Sequence, residues 1–153
     1  MAYVNLRAIN IVCVCVDNIP HGEIDGRLYH RFSAEPVSFS GVGELLTSME
    51  SLFNAINYPQ ASTEVRNFRS KRWSAEPKKA ADKPTAIVDG LDVVNNHGEK
   101  ATFVIQVLYR QNASWQGLIR WVEYDVTQEF RSALEFLKLI DSCVDELESV
   151  DKG

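Results

Sequence analysis

The chain has 153 residues and a mass of 17.3 kDa, of which 45% are hydrophobic and 24% charged; this suits one globular domain that needs no disulfide or metal to fold. A formal charge of −5 argues against a general nucleic-acid binder, whose affinity comes from neutralising phosphates. No apolar run reaches the length of a membrane span, and Met1–Arg7 shows no basic stretch leading into an apolar one, so no membrane partner and a cytoplasmic location are expected.

Residues 8–16 are apolar and β-branched on both faces, the pattern of a central strand covered on both sides. Cys13 and Cys15 share one face of it, and with Cys143 they make three, a number that cannot pair within the chain. No histidine flanks the pair, so zinc is disfavoured, no metal or cofactor is expected, and all three read as small buried hydrophobes in a reducing compartment. After a break at Asn18–Gly22, residues 26–39 read as extended, with Leu28, His30 and Phe32 alternating against Arg27, Tyr29 and Arg31; Pro36 makes this a bent or edge segment.

The spacing of Val42, Leu45, Leu46, Met49, Leu52, Phe53 and Ile56 predicts an amphipathic helix, with Ser40 as N-cap and Asn57-Tyr58-Pro59 as its end. Residues 57–100 differ in character. Between 60 and 83, Arg66, Arg69, Lys71, Arg72, Lys78, Lys79 and Lys83 outnumber Glu64, Glu76 and Asp82, and residues 74–84 read as a loop. Residues 86–94 suggest a short strand or hairpin around Asp89-Gly90.

Strands follow at 102–109, 117–124 and 126–130, with a turn at 111–114. A helix runs from Ala133 to about Glu148, opened by the capping-box spacing of Ser132 and Glu135. Its apolar face (Ala133, Leu134, Phe136, Leu137, Ile140, Cys143, Val144 and Leu147) is wide enough to seek a core or a partner, and a homodimer is expected. Val12–Phe53 aligns without a gap on Phe103–Val144 at an offset of 91 residues; Gly26 falls on Gly117, Phe39 on Phe130 and Leu46 on Leu137. The expectation is an α+β single domain of two β-β-β-α units, about 6–56 and 101–148, arising by internal duplication and forming antiparallel sheet packed with two helices.

No phosphate loop, nucleophile elbow or paired histidine motif occurs, and no nucleophile with a placed base suggests itself, so the chain is expected not to be an enzyme. The densest polar and aromatic cluster is Tyr109, Arg110, Gln111, Asn112, Trp115 and Gln116 on a strand-turn-strand tip. Aromatic rings stack on a flat ligand, amides read its edges, and guanidinium pairs with an anion. Arg120 and Arg131 add charge, the latter beside a helix N-terminus that itself favours an anion, and Arg66 and Arg69 of the basic segment complete the candidate set. This predicts a non-enzymatic binder of a small anionic, nucleotide-like ligand, not of long nucleic acid. The alternative is a protein-interaction or self-associating module, or packing of Trp115 over the end of the core.

The run Tyr109–Gly117, Trp121, Phe130-Arg131-Ser132-Ala133-Leu134-Glu135, Leu139-Ile140-Asp141-Ser142, Gly26–His30 and Tyr58–Ser62 together resemble a set of short uncharacterised proteins of gut Firmicutes and their mobile elements. The resemblance implies a bacterial or phage-related cytoplasmic origin and no activity. Small phage proteins that sequester nucleotide immune signals are similar in type, without a shared motif.

Overall fold

Val12–Val16 is buried on both faces, as an apolar strand must be when it lies at the middle of a two-sided sheet. The computed structural model describes residues 3–58, 85–111 and 114–152. In chain order they form β1 (Val12–Asn18), β2 (Asp25–His30), β3 (Val37–Ser40), α1 (Val42–Ile56), α2 (Gly90–Val94), β4 (Ala101–Gln111), β5 (Ser114–Trp121), β6 (Val126–Phe130) and α3 (Ala133–Lys152). The strands make one six-stranded antiparallel sheet in the order β3-β2-β1-β4-β5-β6, so the chain is an α+β protein built from two β-β-β-α units joined at β1 and β4.

The offset of 91 residues carries the strand register of one unit onto the other. Val12 pairs with Ile105 and Val14 with Phe103, each pair being the image of the other, while Cys13–Val104 maps onto itself. A pseudo-twofold axis therefore passes through the Cys13–Val104 pair. The irregularity between Val16 and Asn18 in the β1–β2 ladder recurs between Val107 and Tyr109 in the β4–β5 ladder.

On one face lies the larger core. Leu45, Met49 and Phe53 of α1 and Phe136, Ile140 and Val144 of α3 pack onto Val12, Val14, Leu28, Phe39, Phe103, Ile105, Ile119 and Phe130. Each such side chain contributes roughly 1.5–3 kcal/mol of burial, which offsets the ordering of the chain. Each helix begins beside its own unit and ends over the other: Phe53 of α1 packs edge-on against Trp115, and Glu148 of α3 lies beside Gly22.

The opposite face is covered unevenly. The N-terminal segment and α2 bury a second cluster of Ala8, Ile11, Cys13, Cys15, Val93 and Val104 over β1 and β4. The Asn5 amide donates to the Gln106 side-chain oxygen at 2.8 Å and Asn10 Nδ2 to the Val107 carbonyl at 2.8 Å, which ties this segment down. The outer surface of β5 and β6 has no comparable cover among the described residues.

Local expectations are corrected in five places. Residues 8–11 precede the first strand, and the extended stretch 26–39 divides into β2 and β3. The α1 N-cap is Gly41 at φ 87°, not Ser40, because only glycine enters a helix comfortably from that left-handed conformation. Residues 90–94 form a helix in place of a hairpin; Asp89 caps it by accepting from the Leu91 amide at 3.2 Å. The α3 capping box forms one residue wider than its spacing suggests: Glu135 N–H donates to Ser132 Oγ at 3.0 Å, and the Glu135 carboxylate accepts from the Arg131 amide at 3.1 Å.

Candidate functional site

The hairpin tip proposed as a ligand platform is divided between core and solvent. Trp115 is 7% exposed and its ring centre lies 5.6 Å from that of Phe53, so the indole is closed to a stacking ligand. For Trp115 this replaces the ligand-stacking expectation with its stated alternative, packing over the end of the core. Its pseudo-symmetric counterpart is Ile24, buried under the other helix end, so both positions serve to close the core. Arg110 is 5% exposed. Its guanidinium lies 5.7 Å from the Phe53 ring centre, donates to Asn54 Oδ1 at 2.7 Å and to the Phe53 carbonyl at 3.3 Å. It thereby caps the C-terminus of α1, where the helix dipole favours a cation. Burial lowers the pKa of Arg110, an effect opposed by Glu50. Tyr109 is exposed and pairs with half-buried Gln116 in the ladder. Arg66, Arg69 and Asn112 lie outside the described residues, as does the side chain of Gln111.

Arg120 and Arg131 do come together, on the sheet face opposite Trp115. They line a groove of about 940 Å³ with Tyr3, Val4, Leu6, Leu118, Asp125, Thr127, Glu129 and Glu135. The strand period explains the grouping: Leu118 lies opposite Glu129 and Arg120 opposite Thr127, so all four share one face. The N-terminal segment supplies an apolar wall and the Tyr3 ring. Arg120 pairs with Asp125 at 2.9 Å. Arg131 is exposed and its side chain has no carboxylate partner among the described residues. Its position beside the α3 N-terminus offers less than expected, since the chain's own Ser132 and Glu135 satisfy amides there. With two arginines against Asp125, Glu129 and Glu135, the groove presents both signs of charge.

The first unit differs at the same places. Tyr29 stands for Arg120, Arg27 for Leu118 and Ser40 for Arg131, and the N-terminal segment and α2 pack against Tyr29. Arg27 is consumed internally: it pairs with Asp17 at 2.9 Å and donates to the Tyr29 hydroxyl at 2.7 Å and the His97 carbonyl at 3.0 Å. Cys13 and Cys15 are buried with sulfurs 4.0 Å apart, and Cys13 donates to the Asn96 carbonyl at 3.4 Å. The neighbouring thiol and burial hold the pKa of Cys13 well above the usual thiol range. No group of three metal-ligating side chains occurs among the described residues.

Sequence reasoning missed Tyr3, Val4, Leu6, Thr127, Glu129 and Glu135. The period-two alternation of β5 and β6 carried a signal for Thr127 and Glu129. The N-terminal wall had none, because it reaches the site through contacts about a hundred residues apart in sequence, such as Asn5–Gln106.

Comparison with protein-family models, with curated proteins and with solved structures yields no match to this chain. Among the described residues, no helix is long and apolar enough to cross a membrane.

Proposed function

We propose that the protein is a non-catalytic binder of a small anionic, nucleotide-like molecule, and that the groove under the N-terminal segment receives it. The observation that carries this reading is the convergence of Arg120 and Arg131 on one groove, where the Arg131 guanidinium has no carboxylate partner among the described residues. An anionic group would sit between the arginines, Leu118, Val4 and Leu6 would flank the apolar part, and Glu129 and Glu135 would accept from amino groups. A nucleotide supplies all three kinds of group. A polyanion is disfavoured by the three carboxylates of the lining and by the chain's charge of −5. The three free thiols support a cytoplasmic setting, and the likeness to the Firmicutes and mobile-element set belongs to the same reading. Internal duplication is proposed on the shared register and shared ladder irregularity of the two units.

Calorimetric titration with mononucleotides and cyclic dinucleotides tests the reading. At least one should bind the wild type, and Arg131→Ala should weaken it by tenfold or more, as expected for loss of a charge-assisted hydrogen bond. Absence of binding across the panel overturns it.

Self-association is a second reading, supported by the outer edge of β6, where the sheet ends with Tyr124 and Val126 exposed beside it. Light scattering at several protein concentrations tests it, and a monomer throughout excludes it.

A further inference from the structure

The pseudo-twofold relation makes each half of the sheet a template for the other, and at one place the template is unfilled. In the second unit Trp121 lies opposite Phe103 in the ladder, the two rings 5.9 Å apart, and half-buried Leu139 of α3 borders the same cluster. The counterparts of these three residues are His30, Val12 and Ser48. His30 lies opposite Val12 as Trp121 lies opposite Phe103. Each of the three is smaller or more polar than its image, and only Leu52, which replaces Cys143, is larger. Where the second unit has an indole, the first has a recess of about 360 Å³, lined by Leu28, His30, Val37, Ser48, Ser51 and Leu52.

The chemistry of that recess is specific. Leu28, Val37 and Leu52 give it apolar walls, and among the described residues no charged side chain lines it. His30 Nδ1 accepts from the Phe32 amide at 3.0 Å, so the neutral imidazole carries its proton on Nε2 and keeps that donor for another acceptor. Burial lowers the pKa of His30 and keeps the ring neutral at physiological pH. The hydroxyls of Ser48 and Ser51 add groups that either donate or accept.

We propose that the recess between β2, β3 and α1 is a second binding site, which takes a neutral bicyclic heteroaromatic ring bearing an acceptor nitrogen, seated where Trp121 sits in the other half of the chain. The ring packs against Val37 and Leu52, and its acceptor nitrogen accepts a hydrogen bond from the His30 Nε2–H. The site is separate from the groove of Arg120 and Arg131 and shares no lining residue with it.

The test uses the full chain with two probes, benzimidazole, which has an acceptor nitrogen, and indole, which has none, followed by ligand-observed NMR or calorimetry. Benzimidazole should bind about tenfold more tightly than indole, the difference expected for one hydrogen bond to a buried donor. His30→Trp, which installs the side chain of the other unit, should abolish uptake of both probes. Ser48→Leu does the same from the helix side and serves if His30→Trp fails to fold. Arg131→Ala should leave benzimidazole binding unchanged. Failure of the wild type to bind benzimidazole, equal affinity for the two rings, or undiminished binding by a folded filled variant overturns the assignment.

Discussion

Phe130 lies directly opposite Gly117 in the β5–β6 ladder, and it is buried where its partner has no side chain. Phe39 and Gly26 stand in the same relation in the first unit. A Cβ on Gly117 would lie 2.1 Å from the Gln106 carbonyl oxygen, and one on Gly26 would lie 1.8 Å from that of Cys15, which is the pseudo-symmetric image of Gln106. Neighbouring backbones thus approach so closely at both sites that only glycine fits, and an aromatic residue across the strand takes the vacant side-chain space.

Gly117→Ala and Gly26→Ala should therefore each destabilise the fold by about 1–3 kcal/mol, the usual cost of overpacking, with the larger effects anticipated because backbone must move. Urea unfolding checks this through the midpoint, with the slope unchanged. A loss below about 0.5 kcal/mol would place these glycines with ordinary surface positions.

Trp115 and Arg110 both act on Phe53, one by ring packing and one by capping the helix that carries it. Trp115→Ala should cost about 3–5 kcal/mol and Arg110→Ala about 1–3 kcal/mol. Because they share a partner, the double variant should depart from additivity. Nucleotide titration of Trp115→Phe should match the wild type; a lost titration would return the ligand to the hairpin.

Arg131→Ala should leave stability within about 0.5 kcal/mol, since the side chain is exposed and has no carboxylate partner among the described residues, while weakening the proposed ligand binding by tenfold or more. Arg120→Ala breaks an exposed pair with Asp125 that is worth at most about 1 kcal/mol. Thermal unfolding with and without ligand separates the two effects. A thermal shift retained in both variants excludes the groove.

His30 gives a pH signature. Its folded pKa lies below the unfolded value of about 6.5, so the unfolded chain binds the proton first as pH falls. Its contribution to stability is complete above that value and is lost as pH drops from there toward the folded pKa. Asp17 follows at lower pH: the hydrogen bond from Arg27 holds its carboxyl below the usual carboxylate range, so its contribution is present above about 3.9 and lost below. His30→Gln should flatten the upper step and leave the acid step in place, as measured by urea midpoints across the pH range. An unchanged upper step would exclude His30 as its source.

The helices α1 and α3 were legible because their apolar stripes recur at the helical period; Leu45, Met49, Phe53 and Phe136, Ile140, Val144 all face the core. The 91-residue offset was legible for the same reason, since the two units repeat the turn, strand and helix pattern in step. The sequence left Trp115 between a ligand platform and packing over the end of the core, and gave no sign that Arg110 turns inward, because an aromatic and a guanidinium on a hairpin look alike whether they meet ligand or helix. What met them was α1, which arrives from 56 residues earlier in the chain, between Asn54 and Arg110.

Composition and periodicity, then, determined by themselves the class of fold, the two long helices and the β-β-β-α pattern of each half, since these depend on side chains a few positions apart. Tertiary structure alone decided how far, among the described residues, the sheet face opposite the two long helices is covered. The N-terminal segment and α2 seal the face of β1 and β4 through long-range contacts, and the exposed remainder is where Arg120 and Arg131 meet. The two-sided apolar pattern of β1 shows that this strand is covered on both faces, but not by what, because the cover comes from burial of apolar area between segments distant in sequence.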